Sequence, residues 1–286
     1  MNTTNLVDKA KGAFFGAICG DALGTTLEFC PRIYEEEKKI REIVGGGQFN
    51  LPAGGWTDDT AMALCIAESL VKNQGYHPAS IMRNFASWMT TGEFSFNHRR
   101  VDIGVTTSQA ISHYLTDPST PYHGLNDEDS QGNGSIMRLS PIFTYYRHDA
   151  IEGTRVAMDQ SLLTHAHPTC VEYCKKCADV VYLAYQNQFH TDVLTHKTTR
   201  YQDVKSRGFV IDTYNAACYA LGNSHSFEEA VVLAVNLGDD ADTVGAVTGM
   251  FAGAYYGYSN IPERWVSKLL WLEYLNEMSE LLLTPA

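Results

Sequence analysis

The sequence predicts an all-α protein. Three observations carry this: apolar residues recur at helical spacing from end to end, period-2 alternation is almost absent, and two stretches place glycine at every fourth position. One compact domain over residues 1–286 is expected. With 44% hydrophobic residues there is ample material for a core, and proline is sparse with no linker-like run to divide the chain.

The first element carries Gly12, Gly16, Gly20 and Gly24, and its counterpart carries Gly245, Gly249, Gly253 and Gly257. Each glycine inside a helix costs about 0.5–1 kcal/mol relative to alanine. A whole face of them makes sense only where another backbone comes close. Both helices are therefore expected to be central and closely crossed, with each other among the candidate partners. Asp21 interrupts one stripe and Asp239, Asp240 and Asp242 abut the other, which excludes a membrane dimer.

The next helix runs from Thr57 to Lys72, opened by Thr57, and turns Met62, Cys65, Ile66 and Leu70 inward. Further helices are expected near 79–90, 104–115, 151–164, 170–187, 209–221 and 263–282. Phe227, Ala230, Val231, Ala234 and Val235 mark another, with Ser226 and Glu229 as a capping box. The turn-rich stretches 30–55 and 116–134 read as loops.

Charge and cysteine usage bound the setting. With 33 Asp+Glu against 21 Lys+Arg, the net charge of -12 repels phosphate backbones and anionic lipid, so no nucleic-acid partner is expected. The N-terminus sets Asp8 and Lys9 before only eight largely apolar residues and then Asp21, too short for a membrane span of about 20. Seven scattered cysteines, an odd number, point to a reducing compartment, so a cytoplasmic protein is expected. Cys170, Cys174 and Cys177 near His165 and His167 have the look of a zinc cluster. Their i, i+4, i+7 spacing puts all three on one helix stripe, without a second CxxC, and they read as core.

The chemistry gathers at helix starts. Gly54-Gly55-Trp56-Thr57-Asp58-Asp59-Thr60 opens an apolar helix, and Gly238-Asp239-Asp240-Ala241-Asp242-Thr243 opens another. Either acidic pair alone could be a cap. Repeated, the device changes meaning: carboxylates and threonine hydroxyls are hard oxygen donors suited to Mg²⁺ or Mn²⁺. If the two starts converge, their like charges need divalent cations to share one pocket. Gln131-Gly132-Asn133-Gly134-Ser135-Ile136-Met137-Arg138 reads as a turn feeding an apolar helix, with free backbone N–H groups of the kind that cradle phosphate. Thr164-His165-Ala166-His167-Pro168 is either a ligand-binding stretch or a helix end.

Together these motifs resemble the ADP-ribosylglycohydrolase family. The matching stretches are GAFFGAICGDALGTTLEF, GGWTDDTAMAL, VDIGVTTSQAI, GNGSIMRLSPI, THAHP, GFVIDT and NLGDDADTVGAVTGMFAGAYYG, in the family's order from residue 12 to 257. The resemblance implies an all-α fold with two divalent cations, Mg²⁺ or Mn²⁺, held by Thr57, Asp58, Asp59, Asp240, Asp242 and Thr243. Asp239 stands where many relatives have glycine and is left outside this set. Glu28 matches an acidic residue beside metals and substrate, and Asp102 matches an aspartate near the reacting ribose. Val105 follows where some relatives have asparagine. Asn133, Gly134 and Ser135 would surround the diphosphate and ribose, His165 would lie beside the substrate, and Phe209 would stack on adenine.

The implied reaction is hydrolysis of the bond between ADP-ribose and a protein side chain, arginine in preference to serine, releasing ADP-ribose. Such cleavage passes through an oxocarbenium-like state that nearby negative charge stabilises. Asp102 or Asp59 is the expected proton carrier. A hydrolase of serine-linked ADP-ribose or of O-acetyl-ADP-ribose, and a non-catalytic ADP-ribose binder, are the alternatives. An isoprenoid-synthase-like enzyme would want DDxxD spacing, which Asp58-Asp59-Thr60-Ala61-Met62 does not supply.

Overall fold

A computed structural model describes residues 3–191 and 198–284. Twelve α-helices occur among the described residues: α1 (Thr3–Gly24), α2 (Asp58–Asn73), α3 (Pro78–Thr91), α4 (Val105–Thr116), α5 (Ser140–Tyr145), α6 (Ala150–Ser161), α7 (Pro168–Tyr185), α8 (Val210–Gly222), α9 (Phe227–Val235), α10 (Ala241–Tyr256), α11 (Glu263–Val266) and α12 (Leu272–Leu283). Beyond short 3₁₀ turns, only isolated bridges such as Leu125 with His165 and Gly132 with Phe209 join the described segments.

The two glycine stripes meet. Gly12 lies against Gly253, Gly16 against Gly249, Gly20 against Gly245 and Gly24 against Ala241, so α1 and α10 run antiparallel in backbone contact. A Cβ added to Gly245 would stand 2.5 Å from the Gly20 carbonyl oxygen, closer than any side chain tolerates. Gly257 differs from its stripe-mates: it ends α10 with φ of 90° and packs against Asp8.

The other helices clothe this axis. α7, α8 and α9 pack on α10; α2 and α5 pack on α1; α3, α4 and α12 extend the α2 side, and α6 covers α7. The main apolar cluster runs from Leu6 to Leu282, with Met62, Cys65, Ile66 and Leu70 buried in it, and a smaller one gathers Val204, Ala216, Ala220, Ala234, Leu237 and Val244. Cys170, Cys174 and Cys177 are buried there too, as their stripe spacing predicts. No described helix is long and apolar enough to cross a membrane.

Two local expectations fail for tertiary reasons. The expected helix over 263–282 is broken into α11 and α12, with Trp271 left-handed at φ 53°. Here the Leu270 N–H donates to the Gly54 carbonyl (3.1 Å), and the Trp271 ring lies 5.9 Å from Trp56. The helix yields to receive the loop that precedes α2. The Gly-Asn-Gly-Ser turn likewise runs through further turns, not directly into a helix, and α5 begins only at Ser140. At α9, Ser226 Oγ accepts from the Glu229 N–H (3.1 Å) as a cap should, while Glu229 reaches one residue further back, to the His225 N–H (2.7 Å).

Candidate active site

The starts of α2 and α10 converge. Thr57 occupies the N-cap position of α2, yet its hydroxyl makes no cap bond. Instead Oγ1 stands 3.1 Å from Asp242 Oδ2, 3.3 Å from Asp59 Oδ2 and 3.0 Å from Asp21 Oδ1. Thr243 Oγ1 donates to Asp59 Oδ2 from the α10 side (3.3 Å). Thr57, Asp59 and Asp242 are each 1% exposed, and these bonds join two segments 185 residues apart.

Asp21 is the residue that motif reading missed. It projects from α1 and is buried completely. Its carboxylate accepts the Thr57 N–H (3.1 Å), the Thr60 N–H (3.0 Å) and the Thr60 hydroxyl (2.6 Å). It therefore caps α2 from another helix and frees Thr57 to face the cluster. The signal was present: Asp21 is the one charged residue between Gly12 and Gly24.

Above this floor lies a cleft of about 350 Å³ lined by Glu28, Asp58, Asp102, Asn133, Gly134, His165, Asp240 and Thr243, among others. Asn133 Nδ2 donates to Asp240 Oδ2 (2.6 Å) and to Thr213 Oγ1 (2.9 Å), tying the Gly-Asn-Gly loop to the second acidic cluster. Glu28 is held through its neighbour. The Phe29 N–H donates to the Asp239 carbonyl (2.7 Å), and the Asp239 N–H donates to the Cys30 carbonyl (2.9 Å). Gly238, at φ 70°, makes this pairing possible, since a Cβ there would lie 2.5 Å from the Cys30 carbonyl oxygen. Asp102 is half-buried and left-handed at φ 58°.

Two expected residues fall elsewhere. Ser135 is buried behind the cleft, where its Oγ lies 3.5 Å from Cys174 Sγ and its carbonyl accepts from Gln160 Nε2 (3.0 Å). Phe209 enters through its backbone, bridged to Gly132 at the start of α8; its neighbour Gly208 is what reaches the cleft wall. The histidines of Thr164–Pro168 divide their work: His165 faces the cleft, while His167 Nδ1 caps α7 by accepting the Thr169 N–H (3.2 Å).

Electrostatics set the character of the site. Among the described residues no lysine or arginine pairs with Asp21, Glu28, Asp58, Asp59, Asp240 or Asp242. Burial, then the charges of Asp102 and Asp242, pushes Asp58 far above the usual carboxylate range. Burial, then Asp242, does the same to Asp59 and Asp240. Burial with Asp242 and Asp102 pushes Glu28 up to about 11, while burial lifts Asp21 and Asp242 to about 6, moderated by their hydrogen bonds. So many unneutralised carboxylates ask for protons or cations.

The donor set fits a hard divalent cation. Asp59 Oδ1 and Glu28 Oε2 are buried with no hydrogen-bond partner, and the surrounding donors are carboxylate and hydroxyl oxygens. Among the described residues no three His, Cys, Asp or Glu side chains by themselves form a metal-holding group, so the threonine hydroxyls belong to the donor set.

An all-helical scaffold that brings two acid-and-threonine helix starts under one cleft defines a class, and comparison with known proteins supplies the family. The family model for ADP-ribosylglycohydrolase matches residues 2–285. The chain is 38% identical to an ADP-ribosylarginine hydrolase Tri1 of Serratia proteamaculans (strain 568), covering 96% of this chain and 78% of that protein. It is 31% identical to the ADP-ribosyl-[dinitrogen reductase] glycohydrolase of Rhodospirillum rubrum, over 94% of this chain and 92% of that one. A solved structure described as an ADP-ribosylglycohydrolase-related protein complex superposes with a TM-score of 0.84 at 32% identity, covering 98% of both chains. The chain belongs to the ADP-ribosylglycohydrolase family.

Proposed function

We propose that this protein is a divalent-metal-dependent hydrolase that cleaves the glycosidic bond between ADP-ribose and an arginine side chain of a modified protein. The observation that carries the reading is the meeting of Thr57 and Asp59 with Asp242 and Thr243 beneath a carboxylate-lined cleft. Arginine is favoured over serine because two relatives bearing the name ADP-ribosylarginine hydrolase are 36% and 38% identical over nearly the whole chain. Thr57, Asp58, Asp59, Asp240, Asp242 and Thr243 would hold two cations, Mg²⁺ or Mn²⁺, which both accept oxygen donors. When bound, these supply Lewis-acid polarisation of ribose and water oxygens.

The chain's own groups divide the remaining tasks. Asn133 and Gly134 border the cleft where ribose and diphosphate would bind, and the carboxylates around it stabilise positive charge developing at the anomeric carbon. Asp102 is favoured over Asp59 as the proton carrier on grounds of access. Asp102 is half-buried on the cleft wall, whereas Asp59 is 1% exposed and already bonded to Thr57 and Thr243. Glu28 stands buried beside these groups with its Oε2 unpartnered, placed to face the cations and the substrate. A reducing, cytoplasmic setting belongs to the same proposal and is supported by seven free thiols.

The test is to incubate the protein with an arginine-linked ADP-ribosyl peptide and Mg²⁺ or Mn²⁺ and measure ADP-ribose release, with a serine-linked peptide and O-acetyl-ADP-ribose in parallel. Arginine-linked release is expected. Release from another substrate alone moves the linkage, and no release from any, with metal bound, removes the hydrolase assignment.

A further inference from the structure

Arg138 is a charge that the proposed chemistry leaves unused. It is fully buried, no carboxylate among the described residues pairs with it, and its guanidinium lies 4.6 Å from the Phe85 ring centre. Its partners are all oxygens of a neighbouring segment, apart from a long contact to Met62 Sδ (3.9 Å). Nε donates to Gln160 Oε1 (2.7 Å), and Nη2 donates to the Gln160 carbonyl (3.1 Å) and to Thr164 Oγ1 (2.8 Å). Gln160 cannot turn its amide over, because Nε2 already donates to the carbonyls of Ser135 and Ala157, each at 3.0 Å. Thr164, itself 0% exposed, has its Oγ1 2.8 Å from His165 Nδ1.

We propose that Arg138 and Thr164 are positioning residues that fix His165 as the neutral Nε2–H tautomer, so that it donates a hydrogen bond to an oxygen of ADP-ribose in the cleft. The direction follows from counting protons. Arginine only donates, so Thr164 Oγ1 accepts from it and has one proton left. The remaining partner of that hydroxyl is His165 Nδ1, which therefore accepts, and the ring proton resides on Nε2. The reverse arrangement would leave a buried hydroxyl proton without an acceptor, which folded proteins avoid.

The surroundings agree. Burial, then the Arg138 charge, lowers the imidazole to about 3, so the ring is not an imidazolium. The peptide of His165 is clamped at both ends: its N–H donates to the Ser161 carbonyl (2.7 Å) and its carbonyl accepts from Ser161 Oγ (2.7 Å). Nε2 has no protein partner among the described residues and borders Gly132 and Gly134, where an added Cβ would lie 3.4 and 3.2 Å from it. With Nδ1 accepting from Thr164 and Nε2 protonated, His165 offers the cleft a donor only and leaves proton transfer to the carboxylates. That the acceptor is ADP-ribose rests on the proposed function; the tautomer does not.

Two measurements test this separately. Long-range ¹⁵N NMR of the full chain, with His165 assigned by loss of its signals in His165→Gln, should show Nδ1 bare and Nε2 protonated. A protonated Nδ1, or a mixture of tautomers, overturns the relay. Thr164→Val should release the tautomer and weaken ADP-ribose binding in Mg²⁺ about tenfold, while Thr164→Ser restores both. A valine variant that binds like wild type overturns the donor role. Wild-type protein that holds the tautomer yet binds no ADP-ribose overturns the proposed function and the assigned ligand but leaves the relay standing.

Discussion

Replacing Gly245 by alanine puts the α1–α10 contact to a test of sign. In an uncrowded helix this change stabilises, by about 0.8–1 kcal/mol, because alanine loses less backbone freedom on folding. Here the new Cβ would stand 2.5 Å from the Gly20 carbonyl oxygen and 2.9 Å from Val235 Cγ1. A carbon is comfortable against a carbonyl oxygen at about 3.3 Å, so the helices must part by roughly 0.8 Å. The obstacle is backbone on a buried helix, and close-packed interiors do not absorb such a shift locally. Overpacking of this kind costs typically 1–3 kcal/mol. Because the obstacle is backbone, the upper part of that range, about 2–3 kcal/mol, applies; set against the gain in propensity, the net loss is about 1–2 kcal/mol, a fall in Tm of roughly 2–4 °C for a chain of this size.

Gly245 also lies one turn beyond Asp242 and Thr243, whose bonds to Thr57 and Asp59 are 3.1 and 3.3 Å long. A shift of that size breaks them, and misplacement by about 1 Å can lower turnover by about 10²-fold. The assays are thermal and urea unfolding with unchanged m, followed by release of ADP-ribose. Gly249→Ala, opposite Gly16, should fall at least as far. A Gly245→Ala protein that melts at or above wild type refutes the close-contact argument.

The remaining predictions concern the acidic floor. Asp58→Asn or Asp242→Asn should abolish turnover and weaken divalent-cation binding measured by calorimetry, with the far-UV spectrum unchanged; retained activity in either contradicts its assignment as a ligand. Asp21→Ala strips the acceptor from the buried Thr57 and Thr60 N–H groups and should cost about 2–3 kcal/mol in urea unfolding; unchanged stability would deny that α2 is capped from α1. Burial holds the Asp21 and Asp242 carboxyls up at about 6, against about 3.9 for an unfolded chain. The folded state binds the extra protons, so their stabilisation is present below about pH 4 and is lost as pH rises through about 6. Metal-free protein should melt lower at pH 8 than at pH 5, and Mg²⁺ or Mn²⁺ should raise Tm more at pH 8; a flat profile in chelator argues against carboxylates crowded without cations.

What the sequence disclosed tracks how local each cause is. Helix faces and the core placement of Cys170, Cys174 and Cys177 follow from spacing along one segment, and they emerged as expected. The break before Trp271 did not, because its cause is the Gly54 carbonyl more than two hundred positions away. The direction of the Ser135 side chain was not legible for a similar reason. In a turn that continues past Gly134, the next side chain points back toward Cys174, and no motif encodes that direction. Phe209 was chosen for its ring, and what the structure shows of it is backbone pairing with Gly132, to which side-chain identity is nearly silent.

Asp21 shows how the two kinds of information join. The glycine register pairs residue 20 with 245 and residue 24 with 241, so Asp21 and Asp242 both lie within the last turn of the ladder, where Thr57 Oγ1 reaches each carboxylate. The closeness that glycine permits is what brings these two carboxylates together, and the charge of Asp21 contributes to the raised pKa of Asp242. The stripes are thus part of the site's construction. They let α1 approach until its one charged residue in the stripe caps α2 and flanks α10, so that one backbone contact aligns both acidic helix starts. A bulkier face on either helix would keep the same fold class and the same motifs, yet hold Thr57 and Asp242 too far apart to hydrogen-bond.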